Sequence, residues 1–344
     1  TPCGTLFPYT TLFRSHYRRT VVETTVAPIP QQVFDNAMLA IEGYAFTGNA
    51  GADSWDSASG EFDTAAPSGG FGDLASEGDI TTGSSTTFDN VYDNREYPLP
   101  VFDYQTEKNS AGALTPIGGG DGVVDNAWVN GSHTLTSGAY SCTAIDLSGS
   151  NYLVIDGEVS IFVDEHVILN PNNNDRIIQY AHPLGSAPNQ TSPPTDPPLA
   201  PSVLSIYQGD YTGTDSSFDN NGGFIGDVER TGGSGQNFTA AAFPANFRVL
   251  TEYSGLMTMN GNGHTSGVFF APRATIKFNG TFNFYGSVVA QRFDTSLSGG
   301  TQSGKVNGTF DFHYDESLSE LDLDTSVSIL ITGWRTYDLG AGAP

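Results

Sequence analysis

The densest group of potentially reactive side chains is the run Asp311-Phe312-His313-Tyr314-Asp315-Glu316. On a strand, residues 311, 313 and 315 share one face, so two carboxylates would flank one imidazole. Such a set could transfer protons or hold a metal. The competing reading is structural: a strand that closes a repeat, with His313 and Asp315 consumed in hydrogen bonds. Acid-rich turns offer a second possibility. Asp121 and Asp125 lie in GGGDGVVDN, and Asp215, Asp219 and Asp227 in DSSFDNNGGFIGD. Calcium takes roughly six to eight oxygen ligands, which makes Asp215, Asp219 and Asp227 the weak calcium candidates of the chain. Neither run has EF-hand or Gly-Gly-x-Gly-x-Asp spacing, and solvated acidic loops are the plainer reading. The chain has no Gly-x-Ser-x-Gly, P-loop or His-Glu-x-x-His motif, so a Ser/His/Asp set drawn from it would be arbitrary.

Charge is distributed unevenly. The 344 residues include 13 Lys+Arg and 38 Asp+Glu, a formal net charge of −25. Residues 253–310 nevertheless hold Arg273, Lys277, Arg292 and Lys305 against Asp294 alone, four minus one or +3. These four are the candidate binding residues, facing an acidic partner surface or an anionic glycan. Otherwise they pair with acids of the chain itself, in the proline-rich run 183–201 or at Asp322 and Asp324. The overall acidity excludes a nucleic-acid partner, because phosphate binding needs a basic face. Two cysteines exclude a disulfide scaffold and Cys-rich zinc sites. No apolar run approaches the roughly 18 residues of a membrane span. With 41 glycines and 38% hydrophobic residues, the composition fits a core-forming β protein rich in turns.

The elements that position these groups are short strands: YLVI (152–155), VSIFV (159–163), HVILN (166–170), FRVL (247–250), GVFFA (267–271), TIKF (275–278), TFNFYGSVVA (281–290) and TFDFHY (309–314). Gly and Asn separate them, and Asn-Gly pairs suit turns because both residues tolerate positive φ. An internal repeat orders them. Shifted by 19, MTMNG (257–261) lies over IKFNG (276–280), and VFFAPR (268–273) over SVVAQR (287–292). Shifted by 28, KFNGTFNFY (277–285) lies over KVNGTFDFH (305–313), a further rung with nine extra residues that TSLSGGTQSG (295–304) can absorb. A period near 20 residues predicts a β-solenoid. The expected fold class is therefore all-β, a parallel β-helix with ~19-residue rungs stacked ~4.8 Å apart, plus a loop-rich N-terminal segment. An antiparallel sandwich of hairpins is the alternative. Met259 over Phe278 and Phe270 over Val289 are expected as inward stacks, with glycines at the corners.

Residues 5–15 (TLFPYTTLFRS) resemble the in-frame translation of a short-read sequencing adapter, so residues 1–15 are set aside. That makes Cys3 suspect and leaves Cys142 without an internal disulfide partner. Residues 16–42 read as an extended leader with a short helix over Val33–Ile41. Residues 43–110 form a Gly/Ser/Asp-rich entry segment and residues 111–320 the solenoid, with a proline-rich excursion at 183–201. Residues 321–344 form a C-terminal strand and tail.

The residues SGVFFAPRATIKFNGTFNFYGSVVAQRF, followed by FDFHYDESL (310–318), resemble the C-terminal domain of PilX-like, type IV pilus-associated bacterial envelope proteins. The matching features are Phe269-Phe270-Ala271-Pro272, Gly286 to Ala290, and His313-Tyr314-Asp315. YLVIDGEVSIFVDEHVILN (152–170) and GYAFTGNAGADSWDS (43–57) are similar to further family segments. Asn279, Gly280, Gly286, His313, Tyr314 and Asp315 are the motif residues expected to serve structure. The proline-rich run, the nine-residue insertion and SVSILITGW (326–334) depart from the family pattern. The resemblance implies a bacterial cell-surface or envelope location and pilus proteins, envelope proteins or surface glycans as partners. It implies a membrane tether only through an N-terminal part lost or overwritten here. It supplies no catalytic residue and no cofactor. The expected function is a non-catalytic structural or adhesive module, and the alternative is a secreted carbohydrate-active β-helix enzyme, a polysaccharide lyase or hydrolase.

Overall fold

A computed structural model describes residues 19–28, 33–46, 49–57, 62–63, 72–82, 86–88, 90–97, 99–173, 175–180, 202–231, 239–293, 304–321 and 329–339. The adapter-like residues 1–15, the proline-rich run 183–201, most of 295–304, and Asp294, Asp322 and Asp324 lie outside the described residues. The chain divides into two units. The smaller comprises residues 1–30 and 327–344, in which Arg19–Pro28 pairs antiparallel with Ile329–Leu339 across a register shift at Thr25/Val26. The expected C-terminal strand is present, and its partner is the leader.

The larger unit, residues 31–326, is built on a sheet that counts 21 strands among the described residues. Its strands pair in parallel, and the expected registers appear residue for residue. Met257 faces Ile276, Met259 faces Phe278, Asn260 faces Asn279 and Gly261 faces Gly280. Asn279 faces Asn307, Phe284 faces Phe312 and Tyr285 faces His313. The parallel pairing continues N-terminally, with offsets of 20–21 or with longer ones of 43–45 where the chain makes excursions between tiers: Ser132–Cys142 on Tyr152–Val163, then Val203–Gln208, then Phe247–Thr251, which pairs with residues 268–270. Identical small or apolar residues stack on themselves, as in other in-register β arrays. The glycines at the bends are required by geometry. Gly280 has φ +120°, and a Cβ there would lie 2.1 Å from the Gly261 carbonyl oxygen. Gly286 has φ +130° and meets the Gly267 carbonyl in the same way.

Two apolar layers sandwich the principal strands. One holds Met259, Phe269, Phe278, Phe284, Val288, Phe312, Ile161 and Val249. The other holds Phe270, Val289, Leu250, Phe162, Leu39 and Ala75. Met259 and Phe278 thus stack as expected. Phe270 and Val289 are also buried, but on the opposite face; their neighbours Phe269 and Val288 point to the first layer, as side-chain alternation demands.

The N-terminal residues do not begin the stack. Met38–Ala40 pairs with Val288–Ala290, Tyr44–Phe46 with Gly304–Val306, and Asn49–Trp55 with Thr309–Asp315. Further tiers follow outward, at Leu74–Ser76, Ile80–Thr81, Thr86–Thr87 and Val91–Tyr92. The segment expected as an entry to the solenoid is therefore stacked beyond residue 315. The helix expected over Val33–Ile41 is instead a turn followed by the strand Met38–Ala40. All three strand residues are buried, Met38 and Ala40 in one apolar layer and Leu39 in the other, so sheet pairing overrides a short helical pattern.

From Tyr92 the chain returns along the second apolar layer to reach the opposite end. Phe102 stacks on Tyr207 at 6.1 Å, and Tyr104, at the start of helix Tyr104–Ser110, packs on Phe162 at 6.2 Å. The Tyr104 hydroxyl donates to Asp164 (2.7 Å), which also pairs with Lys108. Thr115–Pro116 then pairs with Tyr140–Ser141. At that end the short helix Asn126–Val129, capped by Asp125, sets Val129 against the core.

Candidate functional site

The strand Gly304–Asp315 lies between two others, so each motif side chain meets one tier on either side. Asp311 is exposed, Phe312 enters the core, and His313 and Asp315 are buried, 5% and 1% exposed. The carboxylate that meets His313 is neither sequence neighbour. It is Asp53, which accepts from His313 Nδ1 at 2.7 Å. His313 Nε2 lies 3.3 Å from Asn283 Oδ1, and the ring rests on Tyr285 with centroids 4.7 Å apart. On the next tier His264 Nδ1 is 3.4 Å from the Tyr285 hydroxyl and 3.5 Å from Asn283 Nδ2. His264 stacks on Phe224 (5.5 Å, 8°), and Arg176 lies over the Phe224 ring. Burial, then Asp53 and Asp311, push the Tyr285 hydroxyl above its usual range, so it stays neutral. A carboxylate–imidazole pair can move protons when its second nitrogen meets a substrate. Here that nitrogen meets Asn283 and the ring face meets Tyr285.

Tyr314 and Asp315 are held similarly. The Tyr314 hydroxyl donates to the Phe34 carbonyl at 2.6 Å. Asp315 accepts from the Ser57 amide (3.0 Å), the Ser57 hydroxyl (2.6 Å) and the Ser317 amide (3.1 Å), capping the turn of helix Glu316–Glu320. Ser54 donates to Glu316 at 2.5 Å. Burial raises the Asp315 carboxyl above the usual carboxylate range, and the Ser57 and Ser317 hydrogen bonds work against that rise. Asp53, Ser54, Ser57 and the Phe34 carbonyl were not singled out from sequence. The one signal available was that GYAFTGNAGADSWDS belonged to the same resemblance as the His-Tyr-Asp strand.

Of the basic candidates, the two arginines each meet an acid of the chain itself. Arg273 pairs with Asp210 at 3.2 Å, and Arg292 approaches Glu42 at 4.0 Å and donates to Thr275. Asp210 and Glu42 are their acidic partners among the described residues; the expected sources, residues 183–201 with Asp322 and Asp324, lie outside the described residues. Both arginine side chains stay about half exposed, at 54% and 47%. Lys277 is half-buried opposite Thr258. The Lys305 backbone pairs with Ala45, and its side chain lies outside the described residues. Asn279 is exposed between Asn260 and Asn307.

The acid-rich turns serve the tiers too. Asp215 accepts from the Tyr253 hydroxyl, whose pKa burial and then Asp215 push up to about 12. Asp219 accepts from the Asn260 amide and side chain and from Thr258. Asp227 is buried and accepts from Asn246. Asp121 and Asp125 accept from backbone amides of Val123 and Trp128. Among the described residues no three His, Cys, Asp or Glu side chains converge as a metal site requires.

The family model that matches the chain is that of a domain of unknown function, DUF7305, over residues 224–321. That range holds the two stacked repeats and the His-Tyr-Asp strand. No curated protein and no solved structure matches the chain.

Proposed function

We propose that the larger unit is a parallel β-helix that serves as a non-catalytic structural or adhesive module at a bacterial cell surface. The helical reading is supported by the 19- and 28-residue registers, the positive-φ glycines at the bends and the parallel pairing throughout the large sheet. The functional reading is carried by one observation: the side chains with chemical potential are spent on joining one tier to the next. His313 joins Asp53 and Asn283, Asp315 joins Ser57, Asp215 joins Tyr253 and Asp219 joins Asn260. The stacking suits an extended contact surface. The PilX-like resemblance of residues 266–293 and 310–318 supports a surface location and pilus, envelope or glycan partners. Arg273 and Arg292 are the contact residues in this reading. Exposed ion pairs such as theirs contribute about 0–1 kcal/mol, so a partner carboxylate or an anionic glycan can replace Asp210 and Glu42.

The test is incubation of the full chain with acidic and neutral polysaccharides, with and without calcium. Binding to acidic polymers that weakens in Arg273→Ser/Arg292→Ser, with no new reducing ends or unsaturated products, is expected. Product release above buffer would overturn the reading and favour a lyase or hydrolase.

A further inference from the structure

The larger unit is threaded out of chain order. Its outermost tiers, Val91–Tyr92 at one end and Thr115–Pro116 at the other, come from the interior of the sequence. Its first described strand, Met38–Ala40, lies inside the stack, with Val288–Ala290 on one side and Leu74–Ser76 on the other. Backbone bonds extend both ladders. The Val288 amide donates to the Ala37 carbonyl (3.1 Å), the Ile41 amide to the Ala290 carbonyl (3.1 Å) and the Glu42 amide to the Gln291 carbonyl (2.7 Å). On the other side the Ala37 amide donates to the Asp73 carbonyl (2.9 Å) and the Glu77 amide to the Ala40 carbonyl (3.1 Å). Side-chain clips hold the same stretch: Ser287 donates to the Asn36 carbonyl (2.5 Å), Tyr314 to the Phe34 carbonyl (2.6 Å) and Gln291 to Glu42 (3.0 Å). Phe34, Ala37, Met38, Leu39 and Ala40 are all buried.

We propose that this ladder is a mechanical anchor, carrying tension between the N-terminal side of the chain and the contact arginines Arg273 and Arg292. The proposal rests on the surface-module reading above, in which the tether lies N-terminal to the larger unit and those arginines hold the partner. Three features support it. First, Met38–Ala40 and Val288–Ala290 run parallel; the chain enters this pair at Ala37, and Arg292 follows it at the opposite end. A pull on the tether against a partner held at Arg292 therefore draws the two strands past each other along their length. The hydrogen bonds across the ladder then share the load, whereas a peeled edge strand loses its bonds one at a time. Second, Met38–Ala40 is bonded on both sides, so it offers no open edge at which peeling can begin. Third, the contact residue adjoins the anchor: Arg292 approaches Glu42, and Gln291 bonds Glu42 through both backbone and side chain. The pairing of Arg19–Pro28 with Ile329–Leu339 can pass part of a pull to the other end of the larger unit. There the strand Gly304–Asp315 is likewise held on both sides. Threading in chain order would have placed the first strand at an end of the stack, with a single neighbour to hold it.

The experiment pulls single molecules of the full chain carrying Cys3→Ser and Cys142→Ser. One pair of handles is attached at Gln31→Cys and Arg292→Cys. Gln31 is the first residue of the larger unit, so the ribbon of Arg19–Pro28 and Ile329–Leu339 lies outside the loaded path. A second pair, at Asn94→Cys and Arg292→Cys, uses two exposed positions and loads the outermost tier, where Val91–Tyr92 pairs with Leu74–Ala75 alone among the described residues. Forced unfolding is governed by the unfolding rate, so the force at first rupture, at one pulling speed, compares the barriers of the two paths. The first pair ruptures at the higher force, and Ser287→Ala lowers that force while leaving the second pair's unchanged. A first-pair force equal to or below the second pair's, or one that Ser287→Ala does not lower, overturns the proposal. No partner or polymer takes part in the measurement. A failure here therefore leaves the binding reading standing, and a failure to bind acidic polymers overturns that reading without touching the force result.

Discussion

Replacing Gly280 by Ala tests the stacking register directly. The residue sits at φ +120°, where a side chain is strained whatever space surrounds it, and its added Cβ would come within 2.1 Å of the Gly261 carbonyl oxygen. Backbone strain of this kind costs about 1–3 kcal/mol. The collision adds to it, because the carbonyl belongs to a parallel ladder running through Asn260/Asn279 and cannot turn away without breaking it. A loss of about 3 kcal/mol or more follows, and at about 2 °C per kcal/mol for a domain of this size Tm falls by about 6 °C. Gly120 provides the control. Nothing lies within 4 Å of its added Cβ, and its φ is not in the positive range. Gly120→Ala therefore gains about 0.4–1 kcal/mol from a less flexible unfolded chain. Both variants are compared by thermal circular dichroism and urea midpoints. A Gly280→Ala protein melting within 1 °C of the parent, or above it, would refute the register argument.

Further outcomes follow from the clips. In a double-mutant cycle with His313→Gln and Asp53→Asn, the coupling energy in urea unfolding is about 1–2 kcal/mol, and a value near zero would show that the 2.7 Å contact does not join the tiers. Burial raises the Asp315 carboxyl in the folded state, so that state binds a proton at higher pH than the unfolded one, and this group's cost is present at neutral pH and vanishes as pH falls toward 3.8. The stability of the parent relative to Asp315→Asn therefore rises between pH 7 and pH 4.5; a fall would mean that the Ser57 and Ser317 hydrogen bonds outweigh burial. The Cys142 thiol is buried, and burial, with Asp164 adding to it, pushes its pKa up to about 12. In a Cys3→Ser background at pH 8, disulfide-exchange reagents should label it only after denaturant is added, and prompt labelling of the native protein would contradict its placement.

The registers at 257–280 and 279–313 were legible because side-chain identities recur where tiers stack: Asn on Asn, Gly on Gly, Phe on Phe. The docking of residues 38–57 was not, because its partners share no such pattern: Leu39 meets Val289, and Asp53 meets His313. Backbone pairing and apolar fit direct that contact, and neither leaves a periodic trace in sequence. The facing of Phe270 and Val289 was missed for a related reason. With apolar layers on both sides of the sheet, the VFF and VVA runs are apolar at every position, and alternation cannot tell one face from the other. His313 and Asp315 stood out as residues with chemical potential. Their bonding partners, 260 and 258 residues away, did not.

The return segment between Tyr92 and Thr115 ties the number of tiers to a length of chain. It follows a column from Tyr92 through Ala75, Leu39, Val289, Phe270, Leu250, Tyr207 and Phe162 to Ser141. Open stacks gain or lose repeats by duplication and deletion, because each repeat touches only its neighbours. Here an inserted tier would lengthen the path by ~4.8 Å and call for one or two more residues of extended chain in the return segment at the same moment. A duplication without that second change would drag Phe102 and Tyr104 off their seats on Tyr207 and Phe162. In such a fold loops can lengthen on their own, whereas a change in the number of tiers requires a matching change in the return segment.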